Sequence, residues 1–141
     1  MAAGAICHTG RRPLMRKFVE QFEKTIGSSP IVLSSHIEKH YGPDGTTLYL
    51  RGGLRFIDSS VLEVALFASE SSPGIDVDKY RFQYMSADGQ MIFRYDNAPH
   101  HPGMTSFPHH KHTSAKAVPS SMPDIKDLLN EISAMILRSK P

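Results

Sequence analysis

The sequence contains no tryptophan, a single cysteine and no long apolar run, and these absences exclude several classes of protein. With Cys7 alone, no disulfide can form within the chain, so it is not a disulfide-stapled small domain. No apolar run approaches the ~20 residues that a membrane-spanning helix needs. Residues 1–6 are small and apolar but precede the basic pair Arg11 and Arg12, which reverses the order of a secretory signal. We therefore expect a cytoplasmic protein with no membrane partner.

The length and charge of the chain are those of one ordinary globular domain. Its 141 residues are 40% hydrophobic and 21% charged, which suits a single packed core. We expect residues 1–13 to form a flexible tail and residues 14–141 to form a single α+β domain. The formal net charge of +2 is compatible with an RNA partner. It is smaller than the charge of most dedicated nucleic-acid binders.

Two amphipathic segments predict helices near the two ends of the chain. In the first, apolar residues recur at every fourth position, at Leu14, Phe18, Phe22 and Ile26. The second runs from about residue 123 to residue 138, and Ser121 with Asp124 resembles a capping box at its start. The predicted buried stripe of the second helix consists of Ile125, Leu128, Leu129, Ile132 and Ile136.

The middle of the chain predicts a series of strands separated by turns. Alternation and composition favour strands over residues 31–41, 46–57 and 62–68, with a bulge or bend at Gly52 and Gly53. We expect residues 70–78 and 97–122 to lack regular structure. The predicted fold class is α+β, with an antiparallel four- to five-stranded meander sheet and the N- and C-terminal helices packed on one face.

The clearest predicted unit is a β-hairpin over residues 79–96 that turns at Asp88 and Gly89. With these two residues as the loop, Ala87 pairs with Gln90 and the strand residues form alternating pairs. The aromatic pairs, which we assign to the core face, are Tyr84 with Phe93 and Phe82 with Tyr95. The polar pairs, which point towards solvent or a site, are Gln83 with Arg94 and Arg81 with Asp96. The exposed edge of the hairpin offers a route to a homodimer or to a partner by strand addition.

A histidine-rich segment from Asp96 to His112 follows the hairpin and is the candidate site. Five of the eight histidines lie within thirteen of its residues, and three prolines hold short pieces of it extended. The candidate catalytic residues are His100, His101, His110, His112 and Asp96. The nearby cations are Arg94 and Lys111.

One interpretation of this segment is acid–base catalysis. Cleavage of RNA through its own 2′-hydroxyl needs one group to take a proton and another to supply one, and two histidines can do both. His100 or His101 would be one member of the pair, and His110 or His112 the other. Arg94 and Lys111 would bind the phosphate, and Asp96 would orient a histidine and fix its tautomer.

Two other interpretations stay open. His110, His112 and Asp96 could together hold a divalent metal, although the segment lacks a zinc signature and we expect no cofactor. Alternatively, the histidines are structural, which is the interpretation we favour for His8, His36 and His40, because no other candidate residues cluster around them. We also expect Glu63 to be a solvated strand residue.

Two runs of this segment resemble a known family. Residues 94–101 read RYDNAPHH and residues 107–112 read FPHHKH. Both resemble the TumE-like family, the toxin partners of small bacterial and archaeal toxin–antitoxin pairs. The similarity extends from about Thr46 to Leu137, and the two histidine-containing runs are its specific part.

The resemblance implies a toxin that acts as a ribonuclease and is neutralised by a cognate antitoxin with a DNA-binding helix-turn-helix. Together with the chemistry of the histidine segment, it favours a toxin-type endoribonuclease with an RNA substrate. The alternative is a non-catalytic module that holds a metal or binds another protein. A small-molecule enzyme with a deep apolar cavity is a third class that the sequence leaves open.

Overall fold

The computed structural model describes residues 14–72, 74–99 and 102–138. The predicted tail at residues 1–13, as well as His8, His100 and His101, therefore lies outside the described residues. The described elements are, in chain order, α1 (Leu14–Gly27), β1 (Val32–Tyr41), β2 (Thr47–Phe56), β3 (Val61–Glu70), β4 (Ile75–Met85), β5 (Met91–Asp96), β6 (His110–Thr113), β7 (Ala117–Pro119) and α2 (Ile125–Arg138).

The strands form one antiparallel sheet in sequential order from β1 to β7. The predicted α+β class and the meander are confirmed, but the prediction of four to five strands is wrong, because the described sheet has seven. The two additional strands, β6 and β7, lie within residues 97–122, which we expected to be irregular. They form because the outer edge of β5 supplies hydrogen-bonding partners to β6, which local sequence alone does not predict. The predicted loop over residues 70–78 is also shorter, since β3 ends at Glu70 and β4 begins at Ile75.

Both helices contribute to a single hydrophobic core on one face of the sheet. From the sheet, the core takes alternate residues of β2 to β5, namely Leu48, Leu50, Leu54, Phe56, Leu62, Val64, Leu66, Ala68, Tyr80, Phe82, Tyr84, Phe93 and Tyr95. From the helices it takes Met15, Val19, Phe22, Ile26, Leu128, Leu129, Ile132 and Ile136. The buried stripe of α1 is rotated from the prediction, because Leu14 is exposed and Phe18 is only partly buried. We call the other face of the sheet, which carries the intervening residues of these strands, the open face.

The hairpin register agrees with the sequence prediction at every pair that concerns the site. The observed pairs are Arg81 with Asp96, Phe82 with Tyr95, Gln83 with Arg94 and Tyr84 with Phe93. The loop at the tip is longer than the predicted two residues, because the Ser86 N–H donates a hydrogen bond to the backbone carbonyl of Gln90. A bulge between Tyr84 and Met85 shifts the register, so the remaining pairs are those predicted. The predicted free edge of the hairpin is wrong, since β3 covers β4 and β6 covers β5.

Two local predictions are corrected by hydrogen bonding and register. The cap of α2 is formed by Asp124 and Asp127, each of which accepts a hydrogen bond from the other's backbone N–H, whereas we predicted Ser121 with Asp124. The pairing of β2 is continuous through Gly52 and Gly53, so no bulge occurs there.

Among the described residues, no helix is long and apolar enough to cross a membrane.

Candidate active site on the open face

The candidate site is built on two neighbouring rows of residues that run across β4, β5 and β6. Arg81, Asp96 and His110 are direct partners in the first row. In the second row, Arg94 is flanked by Gln83 on β4 and by His112 on β6. Because alternate residues of a strand point to the same face, both rows project onto the open face. The polar loop that joins β5 to β6 returns through turns in which Met104 and Ser106 accept backbone hydrogen bonds.

Asp96 is the centre of this cluster and is buried, with 6% of its surface exposed. Its Oδ1 atom lies 2.8 Å from His110 Nε2 and accepts a hydrogen bond of 3.1 Å from the backbone N–H of Ala98. Its Oδ2 atom lies 3.1 Å from Arg94 Nε and 3.6 Å from His112 Nε2. Positively charged or proton-bearing groups therefore surround the carboxylate, which compensates for its burial.

His110 is held at both ring nitrogens. Nδ1 lies 2.9 Å from the carbonyl oxygen of Pro108, and because a carbonyl oxygen can only accept, Nδ1 carries a hydrogen. Nε2 faces Asp96, and the side chain is 2% exposed. Both ring nitrogens of His110 therefore lie within hydrogen-bonding distance of protein oxygen atoms.

His112 is the accessible imidazole of the cluster. Its side chain is 22% exposed, its ring packs at 80° against that of His110 with centroids 4.6 Å apart, and it lines the cavity described below. Arg94 is also partly exposed and lies beside it. Its Nε forms an ion pair with Asp96 without the alignment of a hydrogen bond, while Nη1 donates a long hydrogen bond of 3.5 Å to Gln83. Asp96 and Gln83 therefore orient the guanidinium, which remains partly exposed to solvent.

A cavity of about 420 Å³ opens beside the cluster on the open face. Its lining residues include His112, Arg94 and Asp96, which the sequence had singled out. The lining also includes residues that we did not predict as site residues, namely Tyr49, Phe67, Lys79, Arg81 and Asn97. Sequence register could have identified Arg81, which we had already paired with Asp96. Among the described lining residues, three cations accompany one carboxylate, so the cavity is suited to an anionic ligand.

Lys111 is not part of this cavity. It points to the helix-packed face, where Nζ donates a hydrogen bond of 2.6 Å to Glu131 and lies 5.0 Å from the ring centre of Tyr95. Alternation along β6 causes this placement, because His110 and His112 point the other way. Burial acts to lower the pKa of Lys111, but the interactions with Glu131 and Tyr95 outweigh it and raise the pKa. Our assignment of Lys111 to phosphate binding therefore does not fit the structure.

Tyr80 and His109 also lie outside the cluster. Tyr80 Oη is 3.0 Å from His109 Nδ1, and the two rings stack at 16° with centroids 5.8 Å apart. Burial, followed by the charge of Asp96, raises the pKa of the Tyr80 hydroxyl. A hydroxyl that holds its proton this firmly is not a general base at neutral pH.

His36 and His40, for which we favoured a structural interpretation, lie at exposed positions of β1. Glu63 likewise lies at an exposed position of β3.

The same cluster has the composition of a metal site. One ligand atom each from Asp96, His110 and His112 lies within 4.8 Å of the others. Two imidazoles and one carboxylate form a recurrent ligand set for divalent transition metals. The hydrogen bond from His110 Nδ1 to a backbone carbonyl also matches the usual support of a metal-bound histidine. The adjacent Arg94 opposes a cation at this position, since its Nε already lies 3.1 Å from the carboxylate.

Comparison with known proteins identifies the family. The family model described as Toxin TumE matches residues 22–139, which is most of the chain and includes every described residue of the site. No curated protein and no solved structure matches the chain. The resemblance first noted in the two histidine-containing runs is thereby confirmed. The chain belongs to the TumE toxin family.

Proposed function

We propose that this toxin is an endoribonuclease that cleaves RNA by acid–base catalysis, with His112 as one of the two proton-transfer groups. The observation that carries the proposal is the position of His112. An accessible imidazole lies beside a buried carboxylate and a guanidinium on the wall of a cavity with three cationic lining residues. A phosphodiester fits such a cavity, because its charge matches the lining.

The reaction needs a proton to leave the 2′-hydroxyl as its oxygen bonds to the adjacent phosphorus, while the bond from phosphorus to the 5′-oxygen breaks and that oxygen gains a proton. The products carry a 2′,3′-cyclic phosphate and a 5′-hydroxyl. Asp96 Oδ2 lies 3.6 Å from His112 Nε2, an ion-pair distance at which the carboxylate stabilises the imidazolium that forms when His112 takes a proton. Arg94 and Arg81 stabilise the charge that develops on the phosphate. His100 or His101, which lie outside the described residues, stays the predicted partner of His112.

The cellular setting follows from the same proposal. A toxin of this family implies a cognate antitoxin, and we expect that antitoxin to carry a helix-turn-helix. We expect the toxin to act in the cytoplasm, where its RNA substrate is. Growth should stop when the toxin is expressed alone and resume when the antitoxin is supplied.

A second candidate function is favoured by the ligand set of Asp96, His110 and His112. In it the three residues hold a divalent metal, which would act as a Lewis acid on the phosphate. A non-catalytic metal-holding module would use the same three ligands. Both alternatives differ from acid–base cleavage in their need for metal, and the non-catalytic module cuts no RNA.

The decisive experiment incubates the purified protein with a mixed-sequence single-stranded RNA in excess chelator. Cleavage that continues in chelator and leaves 2′,3′-cyclic phosphate ends is expected. The His112→Ala variant should cut at least about 10²-fold more slowly, because general acid–base groups contribute roughly 10²–10⁴-fold. The matched control is His36→Ala, which removes an exposed histidine from β1.

Three outcomes would count against the proposal. Complete loss of cleavage in chelator, restored by one divalent metal, would establish the metal mechanism instead. Equal rates for His112→Ala and the unmodified protein would remove His112 from the chemistry. A folded protein that cuts no RNA under any of these conditions would leave the non-catalytic module as the better description.

A further inference from the structure

Two aromatic side chains lie side by side on the open face, next to the candidate active site. Tyr49 on β2 and Phe67 on β3 are direct cross-strand partners. They are 38% and 39% exposed, respectively, and both line the cavity that contains His112 and Arg94. Single exposed apolar residues are common on protein surfaces. Two paired aromatic residues inside a cation-lined cavity are a different case, because neither is used by the core.

The neighbours of this pair are cationic. Lys79 on β4 is the direct partner of Phe67, and Arg81, two residues further along the strand, is the partner of Asp96. Strands are spaced about 4.8 Å apart, so β3 and β5 lie about 10 Å apart across the sheet. Lys79 and Arg81, the partners of Phe67 and Asp96, are two residues apart on β4, so Phe67 and Asp96 are also offset by about 7 Å along the strands. A charged chain that passes from the aromatic pair to Asp96 would therefore cross Lys79 and Arg81.

We propose that Tyr49 and Phe67 form a base-stacking platform that binds an unpaired nucleotide of single-stranded RNA. The assignment of the ligand as RNA rests on the proposed function. The stacking chemistry itself is common to every base, since all present a π-face to an aromatic ring. The platform holds the base of a nucleotide near the cleaved phosphate, and Lys79 and Arg81 bind the phosphates between the platform and His112.

The arrangement selects single strands over duplexes. In a duplex the faces of the bases are stacked on one another and are closed to protein side chains, whereas in a single strand they can be splayed onto an aromatic surface. The aromatic pair is on a sheet face to which neither described helix packs its buried stripe. A sheet that presents aromatic residues beside basic ones is a general solution for binding unpaired bases.

The absence of tryptophan from the sequence permits a direct test. In the Phe67→Trp variant, the introduced indole is the sole tryptophan and keeps an aromatic face at the platform. Titration with an uncleavable 2′-O-methyl RNA single strand should give a saturable quench of its fluorescence. The matched control is Tyr41→Trp, which places the reporter at a site of nearly equal exposure, 38% against 39% for Phe67, that does not line this cavity. The control should not be quenched, and a duplex of the same sequence should quench neither variant.

Affinity provides the second measurement. Stacking of one base on an aromatic side chain corresponds to a loss of roughly 5- to 150-fold in affinity when the ring is removed. Phe67→Ala and Tyr49→Ala should each weaken binding of the uncleavable strand within this range, while Tyr41→Ala should leave it unchanged. Single-stranded DNA should also quench the Phe67→Trp reporter, because stacking does not use the 2′-hydroxyl, but it should not be cleaved.

The outcomes separate this proposal from the proposed function. If the Phe67→Trp reporter shows no saturable quench and both alanine variants bind normally, the platform is overturned, even if the protein cleaves RNA. If quench and weakened binding are observed but no RNA is cut, the platform stands and the ribonuclease is overturned. If Phe67→Trp does not fold, Tyr49→Trp places the same fluorescent reporter on the neighbouring strand, and its quench is compared with that of Tyr41→Trp.

Discussion

Asp96 and His110 are direct partners across β5 and β6, with Oδ1 and Nε2 2.8 Å apart, and both side chains are almost fully buried. This pair connects the two histidine-containing runs of the sequence, residues 94–101 and 107–112. The same carboxylate contacts Arg94 and His112, which reach the cavity. The buried carboxylate therefore contacts two more exposed groups of the cavity wall.

The first prediction concerns the charge of Asp96. Asp96→Asn keeps the shape of the side chain but removes the charge that stabilises the imidazolium of His112 and pairs with Arg94. We expect cleavage to fall by roughly 10²–10⁴-fold, as for the loss of an acid–base group. We also expect the free energy of unfolding to fall by roughly 1.5–3 kcal/mol, because a charge-assisted hydrogen bond is lost in a buried site. Initial rates of RNA cleavage and urea denaturation measure the two effects.

Asp76→Asn is the matched control for this change, because Asp76 is an exposed aspartate of β4. Its rate and stability should stay at the values of the unmodified protein. A folded Asp96→Asn variant that cuts at the normal rate would contradict a role for the carboxylate in the chemistry.

The second prediction concerns toxicity. If cleavage causes growth arrest, His112→Ala should allow cells to grow at nearly the rate of an empty-vector strain, while His36→Ala should still stop growth. Colony counts after induction, together with immunoblots that establish equal protein levels, measure the difference. Arrest by both variants at equal levels would mean that the toxin acts without His112.

The third prediction concerns the dependence of stability on alkaline pH. The pKa of Lys111 is raised above its ordinary value of 10.5 in the folded protein. The pKa of Tyr95 is raised above 10.0, chiefly by burial and then by Glu131. As the pH rises past these ordinary values, the unfolded chain loses its protons first, so the folded state is progressively destabilised. The contribution of Lys111 and Tyr95 to the free energy of unfolding should therefore be constant below about pH 10 and should decrease at higher pH.

Urea denaturation at a series of pH values from 8 to about 11 measures this decline. In Glu131→Gln, Lys111 loses the carboxylate that holds its proton, so the decline attributable to Lys111 should be shallower. Glu63→Gln, which removes an exposed carboxylate from β3, is the control and should follow the unmodified protein. Identical slopes for Glu131→Gln and the control would show that the ion pair makes no contribution to alkaline stability.

Much of the site was predictable from local sequence because the hairpin register is set by short-range signals. The Asp88-Gly89 turn and the alternating aromatic residues placed Arg94 and Asp96 on the face opposite the core, as the structure confirms. The same alternation along residues 110–112 separates Lys111 from its two histidine neighbours. Lys111 was nevertheless assigned to the site because we had not expected a strand there.

The strand β6 could not be predicted because its formation depends on a distant partner. Four residues of the type His-Lys-His-Thr have little preference for a strand, and they become one by pairing with the outer edge of β5. That pairing brings His110 opposite Asp96 after an intervening loop of thirteen residues, 97–109. The contribution of β3 to the cavity was missed for a similar reason, since the exposure of Phe67 depends on the absence of helix packing on that face.

The last prediction tests the close approach of β1 and β2. Gly52 has a φ of +153°, and a methyl group built on it would overlap the carbonyl oxygen of His36. Gly53, its neighbour, has an ordinary φ, and the nearest atom to an added methyl group would be the carbonyl oxygen of Leu62 at 3.5 Å. Gly52→Ala should lower the free energy of unfolding by about 2 kcal/mol or more, because it combines an unfavourable φ with a backbone clash. Gly53→Ala should change it by less than about 1 kcal/mol, and urea denaturation of the two variants compares them directly. Equal stabilities would mean that β1 can move away from β2 at little cost, so that the outer strand is not held in the register described.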